Sequence, residues 1–354
     1  MQRPEPNAAP SKWRYIYYAG FGRILLEQSG CREHKRAMPI LPGHLEYGDT
    51  IGIVAPASAP PDPKSIDRSV AALERLGFRA KLAANVRKRR GFLAGTDRER
   101  AGDLMRMFHD PGVKSILCAR GGYGSSRLLP LLDYGAIRVH PKILVGYSDI
   151  TSLHCALLKK SNLVSFHGPM LNSDFVKEHC PDFTQQGFLR TLMQPSPAGS
   201  ISRGYPGKTV SILRPGRATG ALVGGNLCLL CAALGTPYLP SFKNRILFFE
   251  DLGEAPYRFD RMLTQLLSAG LLQQVAGVAI GVNRNCKDPK APKAKEYRQT
   301  LEDVLRERLL PLKVPAVMGL PFGHIRWNAT LPLGIRATLD AREGDLIIEE
   351  GAVK

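Results

Sequence analysis

At 354 residues with an apolar fraction of 44%, the chain exceeds the usual size of one hydrophobic core, so two domains are the default. No run of about 18 apolar residues is available to cross a bilayer, and the apolar Tyr15 to Phe21 stretch, enclosed by Arg14 and Arg23 with no small-residue cleavage site after it, does not read as a secretory signal. The net charge of +18 admits nucleic acid, an anionic membrane surface or an acidic small substrate, but the basic residues fall in short clusters without interleaved aromatics (Arg87 to Arg90, Lys159-Lys160, Lys287 to Lys295), so neither nucleic acid nor a membrane is expected as a partner.

Residues 1–38 contain no clear periodic element and are expected to be an extension or a loosely attached tail, with Met38 as an alternative start. Ile51 to Pro56 is a continuous apolar run ending in a small-residue loop, as in a buried parallel strand. Ile66, Val70, Leu73 and Leu76 then recur at helical spacing, and Gly77 stops the helix. Thr96 and Glu99 form a capping box ahead of Leu104, Met105 and Phe108. Ser115 to Ala119 and Lys142 to Tyr147 are the next strands. Successive βαβ units imply a mostly parallel sheet, whose ligands bind beyond the carboxyl ends of the strands.

Two short loops fall at those ends. Arg120-Gly121-Gly122-Tyr123-Gly124 lacks the Lys-Ser/Thr of a phosphate loop, leaving a tight turn or half of an oxyanion hole as its readings. Ser148 follows the apolar Ile143 to Tyr147 and precedes Asp149 and the apolar-patterned Ile150 to Leu158, so strand, sharp turn and helix follow one another. That is the shape of a nucleophile elbow, although the second glycine of G-x-S-x-G is missing and an N-cap has the same signature.

Residues 191–215, rich in Pro, Ser, Gly and Arg, are expected to link an N-terminal domain (39–190) to a C-terminal one (216–354). Beyond the linker come a Gly-rich turn into a helix (Gly224 to Leu234), a strand (Arg245 to Phe249), a helix bearing Phe259, Met262, Leu263, Leu266 and Leu267, a strand (Val275 to Val282), a helix reaching about Leu310, and an alternating tail from Ala329 to Glu349 that reads as antiparallel strands. Seven scattered cysteines argue against a disulfide framework and for a reducing compartment. The Cys228-x-x-Cys231 pair, within an apolar segment and without a second pair or a histidine, reads as a buried helix face.

A serine nucleophile needs a base and a group that orients it. Glu250 and Asp251 end an apolar strand, and His324 follows Gly319 to Gly323 in a loop. A capping or salt-bridged carboxylate and a loop histidine satisfied by backbone explain the same residues. Strand alternation allows only one of Glu250 and Asp251 to reach a given partner.

The ordered set Gly48 to Pro56, Arg120 to Gly124, Gly146 to Asp149, His167 to Met170, Gly224 to Leu227, Glu250-Asp251 with Tyr257 and Asp260-Arg261, and Pro321 to His324 resembles the LD-carboxypeptidase family of serine peptidases over residues 39–350. That family includes the microcin C self-immunity peptidases, and the Glu250 to Leu263 stretch is more similar to the muramoyltetrapeptide carboxypeptidase branch. The resemblance implies an α/β fold: a flavodoxin-like N-terminal domain with a mostly parallel sheet, plus a smaller α/β C-terminal domain with antiparallel strands. It implies Ser148 as nucleophile, His324 as general base and acid, Glu250 as the orienting carboxylate, and the amides of Gly122 and Asp149 as the oxyanion hole. The implied reaction is hydrolysis, with no metal or cofactor, of the L,D bond that releases terminal D-alanine from a murein tetrapeptide or UDP-linked muropeptide, in a cytoplasmic homodimer. Arg120 is the candidate for holding the terminal carboxylate; Asn226 and His167 would line the cleft. Cleavage of a peptidyl nucleotide, as in the microcin C branch, is the competing enzymatic reading. A basic nucleic-acid-binding protein with a structural elbow is the non-enzymatic one.

Overall fold

In the computed structural model, residues 38–62, 64–175, 180–207, 210–288, 294 and 298–354 are described. The expected tail before Met38 and most of the basic Lys287 to Lys295 loop lie outside them.

The first half builds the predicted βαβ succession. Strands β1 (Thr50–Val54), β2 (Arg79–Leu82), β3 (Ser115–Cys118), β4 (Ile143–Gly146) and β5 (Ser165–His167) lie side by side in the order 2-1-3-4-5, all parallel. This is the flavodoxin-like order, whose chain-reversal point lies between β1 and β3. β3 and β4 are buried at every residue, as strands covered on both faces must be. Helices α1 (Lys64–Arg75), α2 (Asp97–His109), α3 (Tyr134–Val139), α4 (Thr151–Ala156) and α5 (Asp182–Met193) accompany them. The Thr96–Glu99 capping box that opens α2 is reciprocal: Glu99 N–H donates to Thr96 Oγ1 at 3.2 Å and Thr96 N–H to Glu99 Oε2 at 2.8 Å.

The segment expected as a linker is structured: it holds the last turn of α5, the short β6 (Gly199–Ser200) and β7 (Ser211–Arg214). Polar, Gly-rich composition is equally suited to edge strands, and both flank the second sheet. That sheet also contains β8 (Arg217–Asn226), β9 (Arg245–Glu250), β10 (Gly277–Gly281), β11 (Ala316–Leu320), β13 (Arg336–Asp340) and β14 (Asp345–Ile348), in the order 6-14-13-8-9-10-11-7. Its centre, β8 to β11, is parallel, and the flanking strands are antiparallel, including the β13–β14 hairpin. Helices α6 (Leu227–Ala232), α7 (Pro256–Ser268) and α8 (Leu301–Leu309) complete this half. Gly224 and Gly225, expected in a turn, instead end β8 with φ of +155° and +141°. A Cβ on Gly224 would lie 1.8 Å from the carbonyl oxygen of Phe248, and one on Gly225 would lie 2.4 Å from Thr151 Oγ1. Glycine here serves close approach.

The two halves share an edge pairing and a core. Strand β12 (Leu331–Leu333), from the tail, adds antiparallel to β5 at the edge of the first sheet. Residues 38–354 form one compact unit with a continuous buried core. Among the described residues no helix is long and apolar enough to cross a membrane.

Candidate active site

Ser148 leaves β4 through a sharp turn. Tyr147 is extended and Ser148 has φ +62°, the left-handed region, which costs a non-glycine residue roughly 1–2 kcal/mol. The turn is tight enough that a Cβ on Gly146 would lie 2.9 Å from the Ile150 side chain. Helix α4, buried at every residue, starts behind the turn. His154 in α4 ties it down: Nε2 donates to the Gly146 carbonyl at 2.8 Å, and Nδ1 lies 2.9 Å from Ser165 Oγ. Burial lowers the pKa of this imidazole to about 4, so it is neutral at pH 7. The sequence offered no signal for His154 beyond a lone histidine on an apolar helix.

The loop after β11 brings an imidazole to Ser148. His324 Nε2 stands 3.1 Å from Ser148 Oγ, and His324 Nδ1 stands 2.6 Å from Glu250 Oε2. Because a carboxylate can only accept, Nδ1 carries the proton and Nε2 presents its lone pair to the serine hydroxyl. Glu250 ends β9 and is wholly buried. Gly323, at φ +114°, carries the loop against it; a Cβ there would lie 2.8 Å from Glu250 Oε2. Asn328 Oδ1 accepts the Gly323 N–H at 3.1 Å, and the Tyr147 ring meets the His324 imidazole edge-on at 5.0 Å. Burial opposes charging of His324, but the hydrogen bond and charge of Glu250 overcome it and raise the imidazole above its ordinary 6.5.

Asp251 turns the other way, as alternation requires. It accepts from Asn226 Nδ2 and from the Cys228 N–H, each at 2.9 Å. Burial raises its pKa to about 6 against those bonds. Asn226, paired with Glu250 across β8 and β9, sits on the cleft wall, and its backbone N–H donates to Thr151 Oγ1 at 2.9 Å.

The Arg120 to Gly124 loop packs on the elbow. A Cβ on Gly121 would lie 2.9 Å from Ser148 Cβ and 3.3 Å from the Asp149 nitrogen. Gly122 has φ +106°, and a Cβ there would strike Ser58 at 2.4 Å. Buried Arg100 anchors the loop by donating to the carbonyl of Gly124 at 2.9 Å. The Asp149 side chain points inward and accepts from the Ser125 N–H at 2.8 Å; burial raises its pKa despite that bond. Among the described residues, neither the Gly122 nor the Asp149 N–H donates within the protein.

These groups open onto a cleft of about 330 Å³, lined by Arg120, Tyr147, Ser148, Asn226, Glu254 and His324 among others. Arg120 also donates to the Ala59 carbonyl at 3.2 Å. His167 does not reach the cleft. It is fully buried between the sheets, edge-on to Phe248 at 5.4 Å and Phe322 at 6.1 Å, because alternation along β5 turns it into the aromatic layer; burial holds its pKa far below 6.5. The Cys-x-x-Cys pair divides similarly: Cys231 is buried, whereas Cys228 is exposed and lines the cleft. Among the described residues no group of three or more His, Cys, Asp or Glu could hold a metal ion.

Residues 51–168 match the LD-carboxypeptidase N-terminal domain and residues 219–339 the LD-carboxypeptidase C-terminal domain. The probable murein peptide carboxypeptidase of Bacillus subtilis is 41% identical, over 88% of this chain and 97% of its own. The structure of the muramoyltetrapeptide carboxypeptidase from Oxalobacter formigenes is similar with a TM-score of 0.74 and 33% identity, covering 85% of this chain and 99% of that one. The microcin C7 self-immunity protein MccF of Escherichia coli is 30% identical over 88% of this chain and 96% of its own. A structure of MccF in complex with glutamyl sulfamoyl guanosine is similar with a TM-score of 0.80 and 27% identity, covering 89% of this chain and all of that one.

Proposed function

The chain belongs to the LD-carboxypeptidase family, and from that premise we propose that it is a serine carboxypeptidase that hydrolyses the L,D bond releasing terminal D-alanine from murein tetrapeptides, in peptidoglycan recycling. The observation that carries this reading is the hydrogen-bonded line from Ser148 Oγ through His324 to Glu250 Oε2, at a serine held in a left-handed turn on a cleft.

In this mechanism Ser148 Oγ attacks the scissile carbonyl carbon while His324 Nε2 takes its proton. The oxyanion receives the N–H groups of Gly122 and Asp149. Collapse of the tetrahedral intermediate expels D-alanine, whose amine takes the proton from His324, and leaves the acyl group on Ser148. Water, deprotonated by the same imidazole, then hydrolyses the ester. Glu250 holds the productive tautomer and stabilises the imidazolium. Arg120 supplies the charge for the substrate's terminal carboxylate, and Asn226 shapes the wall opposite. The net charge of +18 draws in a substrate with several carboxylates. A cytoplasmic homodimer completes the reading; scattered free cysteines and the family resemblance support it.

The likeness to MccF favours a second reading, cleavage of a peptidyl nucleotide. Parallel incubation with a murein tetrapeptide and with an aminoacyl sulfamoyl nucleoside separates the two. We expect free D-alanine from the first by mass spectrometry; cleavage of the nucleoside conjugate alone would replace the proposal with the second reading.

A further inference from the structure

Beyond the catalytic cleft lies a second hollow, of about 590 Å³, walled by Gly253, Ala255, Tyr257, Arg258, Asn285, Lys287 and Asp288. Its size suits a ligand moiety. It adjoins the cleft across one short segment: Asp251, Leu252 and Glu254 line the cleft, and Gly253 and Ala255 line the hollow.

The floor is fixed by backbone. Past the ends of β9 and β10 the two chains go on pairing, with the Arg284 N–H donating to the Asp251 carbonyl at 3.2 Å and the Gly253 N–H to the Arg284 carbonyl at 2.9 Å. The hollow therefore lies beyond the carboxyl ends of the same parallel strands that deliver Glu250, where such sheets place ligands.

Its rim is apolar and cationic together. Tyr257, on its wall, is 56% exposed, and Leu252, on the cleft side of the shared segment, is 42% exposed. The guanidinium carbons of Arg258 and Arg261 lie 5.8 and 6.0 Å from the Tyr257 ring centre, and the wall also carries Lys287 and Asp288. Glu254, on the boundary, pairs with Arg258 at 3.2 Å and holds that guanidinium over the hollow.

We propose that this hollow binds the acyl-side arm of the substrate, an acidic peptide whose carboxylate is received by Arg258 and Lys287 while Tyr257 packs against the chain. The proposal rests on the carboxypeptidase reading. With the terminal carboxylate at Arg120 and the scissile carbonyl at Ser148, the remainder of the peptide leaves the cleft past Leu252 and Glu254, directly into the hollow. The γ-linked glutamate of a murein tetrapeptide carries a free α-carboxylate on that arm. The hollow thus recognises peptide length and charge rather than the bond that is cut.

The test compares wild type with the Arg258→Ala/Lys287→Ala double variant on a full murein tetrapeptide and on N-acetyl-L-lysyl-D-alanine, which lacks the acidic arm. The expected result is a rise of about tenfold in KM for the tetrapeptide with kcat unchanged, the mark of lost ground-state binding, and unchanged constants for the short substrate. An unchanged KM for the tetrapeptide, or equal losses on both substrates, would overturn the proposal. Should wild type release D-alanine from neither, the carboxypeptidase reading falls, and calorimetric titration of tetrapeptide into Ser148→Ala protein decides the hollow separately. Binding weakened by the double variant upholds it; equal binding, or none, overturns it.

Discussion

Ser148 is held at φ +62°, so the residue that would attack the substrate also stores backbone strain, of a kind that persists only where surrounding structure over-determines it. The Ile150 contact with Gly146, the buried α4 and the Gly121 loop supply that constraint. Replacing Ser148 by Gly removes the strain as well as the hydroxyl, whereas Ala removes the hydroxyl alone. Ser148→Gly should therefore be more stable than Ser148→Ala by about 1 kcal/mol in denaturant unfolding, both being inactive; equal midpoints would show that the turn is unstrained. The same scale sets the pH response. The raised pKa of His324 contributes stability that is present below pH 6.5 and lost as pH rises through the folded value. Activity runs the opposite way, because the base works only when neutral, so kcat/KM should climb with pH through that raised value. Glu250→Gln removes the charge that raises it: the acid limb should move to lower pH while the plateau falls by roughly ten-thousandfold. An acid limb that stays in place would mean Glu250 does not govern the imidazole.

Between elements, α4 is the member that carries information from one sheet to the other. Thr151, at its start, accepts the Asn226 N–H at 2.9 Å at the end of β8, and Gly225 is glycine because Thr151 occupies the space of its side chain. Thr151→Val keeps the volume and leaves the Asn226 N–H buried without a partner, so a loss of about 1–3 kcal/mol is expected, together with a lower kcat as the elbow shifts against His324. A variant with unchanged unfolding midpoint and kcat would show that this junction is dispensable. The junction also explains what could be read from sequence at this level. The apolar runs at Ile51, Ser115, Ile143 and Arg245 and the Thr96–Glu99 box declared themselves, since periodicity and capping are local. Gly224-Gly225 looked like a turn because the reason for those glycines, a helix and a strand pressing from elsewhere in the chain, is not local. Asp182–Met193 and Tyr134–Val139 carry weak patterns and surfaced only as folded helices.

Taken as a whole, the molecule brings Ser148 and Glu250 together from different sheets. The elbow comes from the first, Glu250 from the end of β9 in the second, and His324 from the loop leading toward β12, which crosses back to pair with β5. One continuous core beneath both sheets fixes the distances that link Ser148, His324 and Glu250. The elbow motif and its two partners were legible as residue types at strand ends, and the ordered motif set joined them. The crossing of β12 was not legible, because its edge pairing is set by a partner more than a hundred positions away. His167, which the family resemblance alone suggested for the cleft, is turned by strand alternation into the space between the sheets. The account stands or falls on whether the assembled line of groups cuts a peptide bond. The measurement is the rate of D-alanine release from a murein tetrapeptide by wild type and by Ser148→Ala, Glu250→Gln and His324→Ala proteins of verified fold. The account predicts release by wild type and a loss of about ten-thousandfold or more for Ser148→Ala and His324→Ala; release by Ser148→Ala at the wild-type rate would contradict it.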